Sequence, residues 1–351
     1  MKTDRSISVV IPCLDFKDSV NQVLTALSKQ SLMPDEVILV DSSSNNEISS
    51  LKEEFKSFFK VIYLKEKKAY PGKARNIGVK RANSEFIAFL DSKTVPKNLW
   101  LEQAIDTYYG EGVKVVFGIT KYLSKSRIQE LIRATTFGNI GIETVPGTFI
   151  KRKDFISSGG FLEEVRRAED MEWRYRVKKQ FDYFTPNLRD TKFFLEYSHL
   201  PERISHLFKS YFLFYLQSSR VSFQTRLKEI YLSFALILSV LIIPRWNLFI
   251  GFKESSLYIV FRWNMVIANW VEEATLYLRH ITKIYLFCLF LASYIYRGII
   301  QPLRRDIAIK YLFPFRWFLI GSLGLCLDIL KAPGYIYGAI ISIFNLDRKL
   351  D

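Results

Sequence analysis

Acids and cations recur in this chain where buried apolar runs stop. Asp91 follows Phe86, Ile87, Ala88, Phe89 and Leu90, and Pro96 closes the turn after it. Asp41 ends the run EVILV and is followed by Ser42, Ser43 and Ser44. Pro12 and Asp15 follow the run SISVVI. Lys73, Arg75 and Asn76 lie in the basic segment KARNIGVKRA, entered through a glycine-bearing loop. Far downstream, Glu169 and Asp170 open a charged stretch. A carboxylate at the carboxyl end of a strand can hold a metal ion, a sugar hydroxyl or a base, because ligands of open α/β sheets bind there. Lysine and arginine can neutralise a diphosphate. Plainer readings stand beside these. Asp91 could cap a helix starting near Pro96. Lys73 and Arg75 could form a solvated helix face, and Glu169 with Asp170 an acidic helix N-terminus.

The elements that must position these groups follow from periodicity. Residues 6–12, 35–44, 60–65 and 86–90 read as strands. Residues 18–30, 52–59 and 73–82 read as the helices between them, with Val20, Val23, Leu24 and Leu27 on one face of the first. A helix over 99–109, a strand over 113–122 and a helix over 125–136 follow. Residues 147–161 read as a strand, a basic turn and a short helix, and 166–180 as a charged helix. This order predicts a mostly parallel α/β sheet with right-handed crossovers. All four stations, 12–15, 41–44, 73–76 and 91–93, then face one crevice.

The segments VVIPCLD, ILVDSSS, PGKARNIGVKRANSEFIAFLDSKTVP, WLE, GGF and AEDMEWRYRV, in this order and spacing, resemble the inverting family 2 glycosyltransferases of the GT-A fold. The likeness covers roughly residues 6–200. It implies a Rossmann-like domain that binds a nucleotide-diphosphate sugar. Pro12 and Asp15 would border the base pocket, Asp41 would hold the base or ribose, and Arg75 and Asn76 would lie near the diphosphate. Asp91 would begin a DxD motif carrying Mg²⁺ or Mn²⁺. Asp170, beside Glu169, would be the general base that deprotonates the acceptor hydroxyl. One departure stands out: the motif here is Asp91-Ser92-Lys93, with a cation in place of the second acid. Three outcomes are open: a metal held by Asp91 with another ligand (Asp15, Asp190 or His199), Lys93 itself meeting the diphosphate, or a poor catalyst. Segment 199–208 is a candidate to close over the donor.

Of 351 residues, 50 are Lys or Arg and 35 Asp or Glu, a net charge of +15 that points to an anionic partner. Aromatic residues crowd the second half, which favours a lipid bilayer over nucleic acid. The expected division is 1–200, the GT-A domain, and 201–351, an α-helical membrane-associated region. Residues 206–228 read as an interfacial amphipathic helix. Apolar runs lie at 230–243, 257–271, 284–296, 311–327 and 333–346, none reaching the roughly 18 residues of a clear spanning helix. Cys13, Cys288 and Cys326 form no CxxC pair, so neither a zinc site nor a disulfide framework is expected; Cys13 reads as a core residue. The first residues carry no signal-peptide pattern. The expectation is a glycosyltransferase at the cytoplasmic membrane, its catalytic domain facing the cytoplasm and its acceptor a glycan or polyprenyl-linked molecule. A processive synthase is disfavoured because no Gln-x-x-Arg-Trp stretch follows Glu169-Asp170. A catalytically silent sugar-nucleotide-binding scaffold is the rival of another class.

Overall fold

Successive residues of a strand point to opposite faces, and here both faces are apolar. Val9, Ile11, Val37, Leu39, Phe86 and Ala88 pack on one side with Val20, Leu24, Leu27, Trp100 and Leu101. Val10, Ile38, Val40, Ile87 and Phe89 pack on the other with Ala74, Val79, Phe161 and Trp173. Each fully buried Val, Leu, Ile or Phe contributes about 1.5–3 kcal/mol, so the two layers fix the central strands in register. The computed structural model describes residues 5–219, 227–242 and 287–343.

Among the described residues the strands are β1 (Ile7–Cys13), β2 (Glu36–Asp41), β3 (Lys60–Lys65), β4 (Phe86–Phe89), β5 (Thr94–Pro96), β6 (Val115–Tyr122), β7 (Ile142–Lys151), β8 (Tyr183–Phe184) and β9 (Phe194–Tyr197). The helices of the same unit are α1 (Lys17–Leu27), α2 (Leu51–Phe55), α3 (Pro71–Arg81), α4 (Trp100–Gly110), α5 (Arg127–Thr136), α6 (Arg152–Ser157) and α7 (Glu169–Gln180). The sheet order is β3-β2-β1-β4-β7-β6-β9-β5, with β8 paired to β6. The expected parallel order holds from β3 to β4. Beyond it the sheet is mixed: β7 runs antiparallel to β4 and to β6, and β5 antiparallel to β9. The reason lies in α5. This ten-residue helix does not carry the chain back across the sheet, so β7 starts beside the end of β6, with Thr120 opposite Ile142. The helix expected over 52–59 is shorter, and the strand expected at 147 begins at Ile142.

Two glycines set close approaches. Gly78 lets α3 lie directly on β1: a Cβ there would overlap the Cγ1 of Val10. Gly160, at φ 66°, turns the chain so that Phe161 meets Asn76. Gly78→Ala is expected to lower stability by about 1–3 kcal/mol, the usual cost of overpacking. The gain of up to about 1 kcal/mol in helix propensity offsets this only in part. A melting temperature equal to or above that of the parent protein would remove the close approach as the reason for this glycine.

The described residues fall into two units, 5–207 with 217–219, and 208–216 with 227–242 and 287–343. The second unit is helical: α9 (Leu227–Ile242), α10 (Gln301–Arg304), α11 (Ile309–Leu312), α12 (Arg316–Ile329) and α13 (Lys331–Ile343). Residues 208–216 belong to α8 (Ile204–Ser218). One helical run, Arg316–Ile341, is long and apolar enough to cross a membrane by length and composition. Buried charges tie this unit together: Asp328 meets Arg297 and Lys331, each at 2.9 Å, and Lys331 reaches Glu229 at 3.0 Å. The expected apolar run 257–271 and much of 206–228 beyond residue 219 lie outside the described residues.

Candidate active site

The first unit holds a cleft of about 420 Å³ at the carboxyl ends of β1 and β4, bounded by the first turns of α3 and α7. Pro12, Arg75, Asp91, Lys93, Arg166, Arg167, Glu169 and Asp170 line it, with Tyr70 and Tyr197. A second cavity of about 620 Å³ shares Lys93 and is lined by Lys125, Gln129, His199 and Glu202.

Arg75 is the hinge of the site. It projects from α3 and is almost fully enclosed, its side chain 4% exposed. One terminal nitrogen donates to Asp91 at 2.6 Å and the other to Glu169 at 3.1 Å. Asp91 is therefore not a helix cap: α4 begins at Trp100, and the Asp91 carboxylate accepts from Arg75 instead. The Asp91 backbone is locked by Thr94, whose hydroxyl accepts from the Asp91 N–H and donates to its carbonyl. This small turn sets the direction of Lys93. The Lys93 ammonium lies 3.3 Å from the ring centroid of Phe16, a cation–π contact. Burial pulls its pKa down.

The acid pair opposite is held by strain. Ala168, the residue before α7, has φ 71°, a left-handed conformation costly for alanine. It turns Glu169 inward, where the side chain is 7% exposed, and leaves Asp170 half-buried on the cleft wall. Burial pushes the Glu169 carboxyl up to about 7; Arg75 opposes the rise and the neighbouring Asp170 charge adds to it. Such a carboxyl changes protonation in the range where enzymes work.

The sequence-derived residues divide. Pro12, Arg75, Asp91, Lys93, Glu169 and Asp170 meet in the cleft. Lys73 does not line it; its ammonium pairs with Glu66 at 2.9 Å. Asn76 is bound elsewhere too, clasping the 161–163 segment through Phe161 N, Phe161 O and Glu163. Asp41 is fully buried and accepts from the Ser43 N–H and hydroxyl, the Tyr63 hydroxyl and Lys65. Burial disfavours its charge, but these donors outweigh it and keep its pKa low. Its two oxygens are thus occupied by protein, and it shapes the β1–β2 end of the cleft by fixing Ser43, whose hydroxyl lies 2.6 Å from the Asp15 nitrogen. Asp15 itself sits at φ 55° on the exposed turn into α1, outside the lining. Asp190 caps a short 3-10 turn through Lys192 N, and His199 rests against Ser19, so neither reaches Asp91's cleft. Burial drives the Cys13 thiol pKa far up, in keeping with a core role.

Arg166 and Arg167 are cleft residues that sequence reasoning passed over. They stand just ahead of Glu169, in a stretch that reads as helix but is loop up to Ala168. Their adjacency to an acid pair is the signal that was available.

Asp91 is engaged by Arg75, the second acid of the motif is Lys93, and among the described residues no three His, Cys, Asp or Glu side chains cluster as metal ligands. Mg²⁺ is held by one or two carboxylates with substrate phosphates and water rather than by a full protein cage, and here the one acid of the motif already accepts from Arg75. The residues present do not fit a dedicated Mg²⁺ or Mn²⁺ site.

Residues 8–160 match the family described as Glycosyl transferase family 2. The chain is 22% identical over 184 residues to glycosyltransferase AglE of Haloferax volcanii, covering 49% of this chain and 60% of that protein. It is 26% identical over 178 residues to the poly(ribitol-phosphate) beta-N-acetylglucosaminyltransferase TarS of Staphylococcus aureus, covering 46% of this chain and 30% of TarS. The chain thus spans less than two thirds of the length of these curated relatives. A crystal structure of S. aureus TarS 1–349 with UDP-GlcNAc overlays at a TM-score of 0.45 and 15% identity, covering 97% of this chain and 92% of that one.

Proposed function

We propose that this protein is a membrane-associated glycosyltransferase that moves a sugar, with inversion, from a nucleotide-diphosphate sugar to a glycan or polyprenyl-linked acceptor. The observation that carries this reading is the cleft itself: Asp91, Arg75 and Lys93, within the matched residues 8–160, share it with the Glu169–Asp170 pair that follows. In the reaction the acceptor oxygen forms a bond to the anomeric carbon while its proton passes to Asp170. The bond from that carbon to the phosphate oxygen breaks, and the electron pair leaves with the nucleoside diphosphate. Lys93 and the arginines of the cleft stabilise the developing negative charge, which is where electrostatic catalysis acts. Pro12, at the end of β1, borders the base side.

One relative supports the donor class, since TarS is described as a poly(ribitol-phosphate) beta-N-acetylglucosaminyltransferase. Nucleotide-activated N-acetylglucosamine is therefore the first donor to try. Membrane association is supported by the run Arg316–Ile341 and by exposed Phe315, Phe318 and Leu319 beside it. Basic flanks near 203–228 and 301–310 favour a cytoplasmic face under the positive-inside tendency. Lys93 in the motif favours one second reading, a silent sugar-nucleotide binder.

The test is thermal stabilisation of the full chain by UDP-, GDP-, CDP- and dTDP-sugars, followed by assay of released nucleoside diphosphate. A ligand at about 1,000 times its Kd adds about 4 kcal/mol, so the true donor is expected to raise the melting temperature by several degrees. If none of the panel stabilises the protein, the donor reading is lost. Stabilisation without any release in the presence of lipid-extract acceptors selects the silent binder.

A further inference from the structure

We propose that the donor's diphosphate is bound by protein cations alone, with the Lys93 ammonium standing where a divalent ion would otherwise sit, so that donor binding needs no metal. The inference rests on the glycosyltransferase reading above and concerns the charge balance of that same cleft.

Three observations carry it. First, Asp91 is committed. Its Oδ1 accepts from Arg75, which is enclosed and tied on its other side to Glu169. A metal ion bound to Asp91 would have to sit against the Arg75 guanidinium, whose side chain is 4% exposed. Second, the ligand set is short: among the described residues no group of three potential metal ligands exists. Third, the second motif position presents the opposite charge. Lys93 stands two residues after Asp91 on a turn held by Thr94, and among the described residues it has no acid partner, only the face of Phe16. An aromatic face orients an ammonium without neutralising it, so its charge stays available to an incoming anion.

The rest of the cleft agrees. The cleft lining carries four cations, Arg75, Lys93, Arg166 and Arg167, against three acids, Asp91, Glu169 and Asp170. Burial and the neighbouring Arg166 charge both disfavour the charged form of Arg167, as they would in a site that gains an anion on binding. An ammonium offers three donors on a flexible stem and guanidinium groups offer planar forks. Between them they can satisfy the oxygens of two phosphates by charge-assisted hydrogen bonds.

The test is calorimetric binding of UDP, GDP, CDP, ADP and dTDP to the full chain in EDTA, and again with Mn²⁺ or Mg²⁺. One of the five is expected to bind in EDTA within about threefold of its affinity with metal. Lys93→Ala should weaken that binding by about tenfold, the loss of one charge-assisted contact. Lys93→Arg should retain most of it. Lys93→Asp should lose binding in EDTA and regain it with Mn²⁺. Circular dichroism confirms that each variant is folded. Parental binding that appears only with Mn²⁺ overturns the inference and leaves the glycosyltransferase reading standing. Unchanged binding by Lys93→Ala also overturns it. No binding of any of the five under either condition removes both readings together.

Discussion

Asp170→Asn is expected to lower sugar transfer by about 10²–10⁴-fold, the usual weight of a positioned general base, while donor affinity stays within about threefold. The amide keeps the size of the side chain but cannot take a proton. Asp170 is the half-buried acid on the cleft wall, whereas Glu169 is enclosed and bound to Arg75. The pH profile provides a second readout. The two acids are adjacent and interact, so the acid limb of the parent enzyme reports the pair rather than either residue. Because the folded Glu169 pKa is raised towards 7, transfer should climb as pH rises through about that value. In Asp170→Asn the neighbouring charge is gone, so Glu169 should titrate at lower pH. Transfer rates near those of the parent, measured as nucleoside diphosphate release with acceptor present, would falsify the assignment of the base to Asp170.

Arg75→Met should destabilise the first unit by about 3–5 kcal/mol near neutral pH, the cost of leaving a buried charge unpaired. Arg75 joins β4's end to α7 through Asp91 and Glu169. Asp91 is more than one third exposed and can hydrate. Glu169 cannot, and must take a proton. The sign of the pH effect follows. A carboxyl whose folded pKa is raised keeps its proton where the unfolded chain has released it, so stability falls as pH rises from the unfolded value, near 4.3. Removing Arg75 raises the folded pKa further and widens that window upward. The gap in unfolding free energy between parent and variant should therefore be small at pH 5 and large at pH 8. Denaturant titrations at both pH values decide it: equal gaps would mean that Glu169 does not depend on Arg75. Transfer should fall as well, since Asp91 and Glu169 lose their common anchor.

These two residues show how far the chain could be read without coordinates. The strands β1 to β4 were legible because each is a short apolar run ending in a charged or polar residue, and a buried parallel strand has that signature. Asp91 and Asp170 were legible because each stands at the edge of such a pattern. Asp41 looked equally exposed to a ligand. It is instead buried beneath Ser43, Tyr63 and Lys65, contacts that come from another strand and a turn and leave no trace in local spacing. Lys73 and Asn76 flank Arg75 in one helical segment, yet only Arg75 turns into the cleft. Helical phase separates i from i+1 by about 100°, but which face meets the cleft is set by how Gly78 seats α3 on β1.

By itself, the sequence determined the layered α/β core, the order of its first four strands and the departure at Lys93, because alternation, turn residues and residue identity are local properties. Tertiary structure alone decided that β7 runs antiparallel, that Arg75 reaches Glu169 across 94 positions of chain while holding Asp91, and that Arg166 and Arg167 join the cleft. Those outcomes depend on which buried groups find partners at long range. That is a matter of desolvation and geometry, which a periodic pattern does not carry.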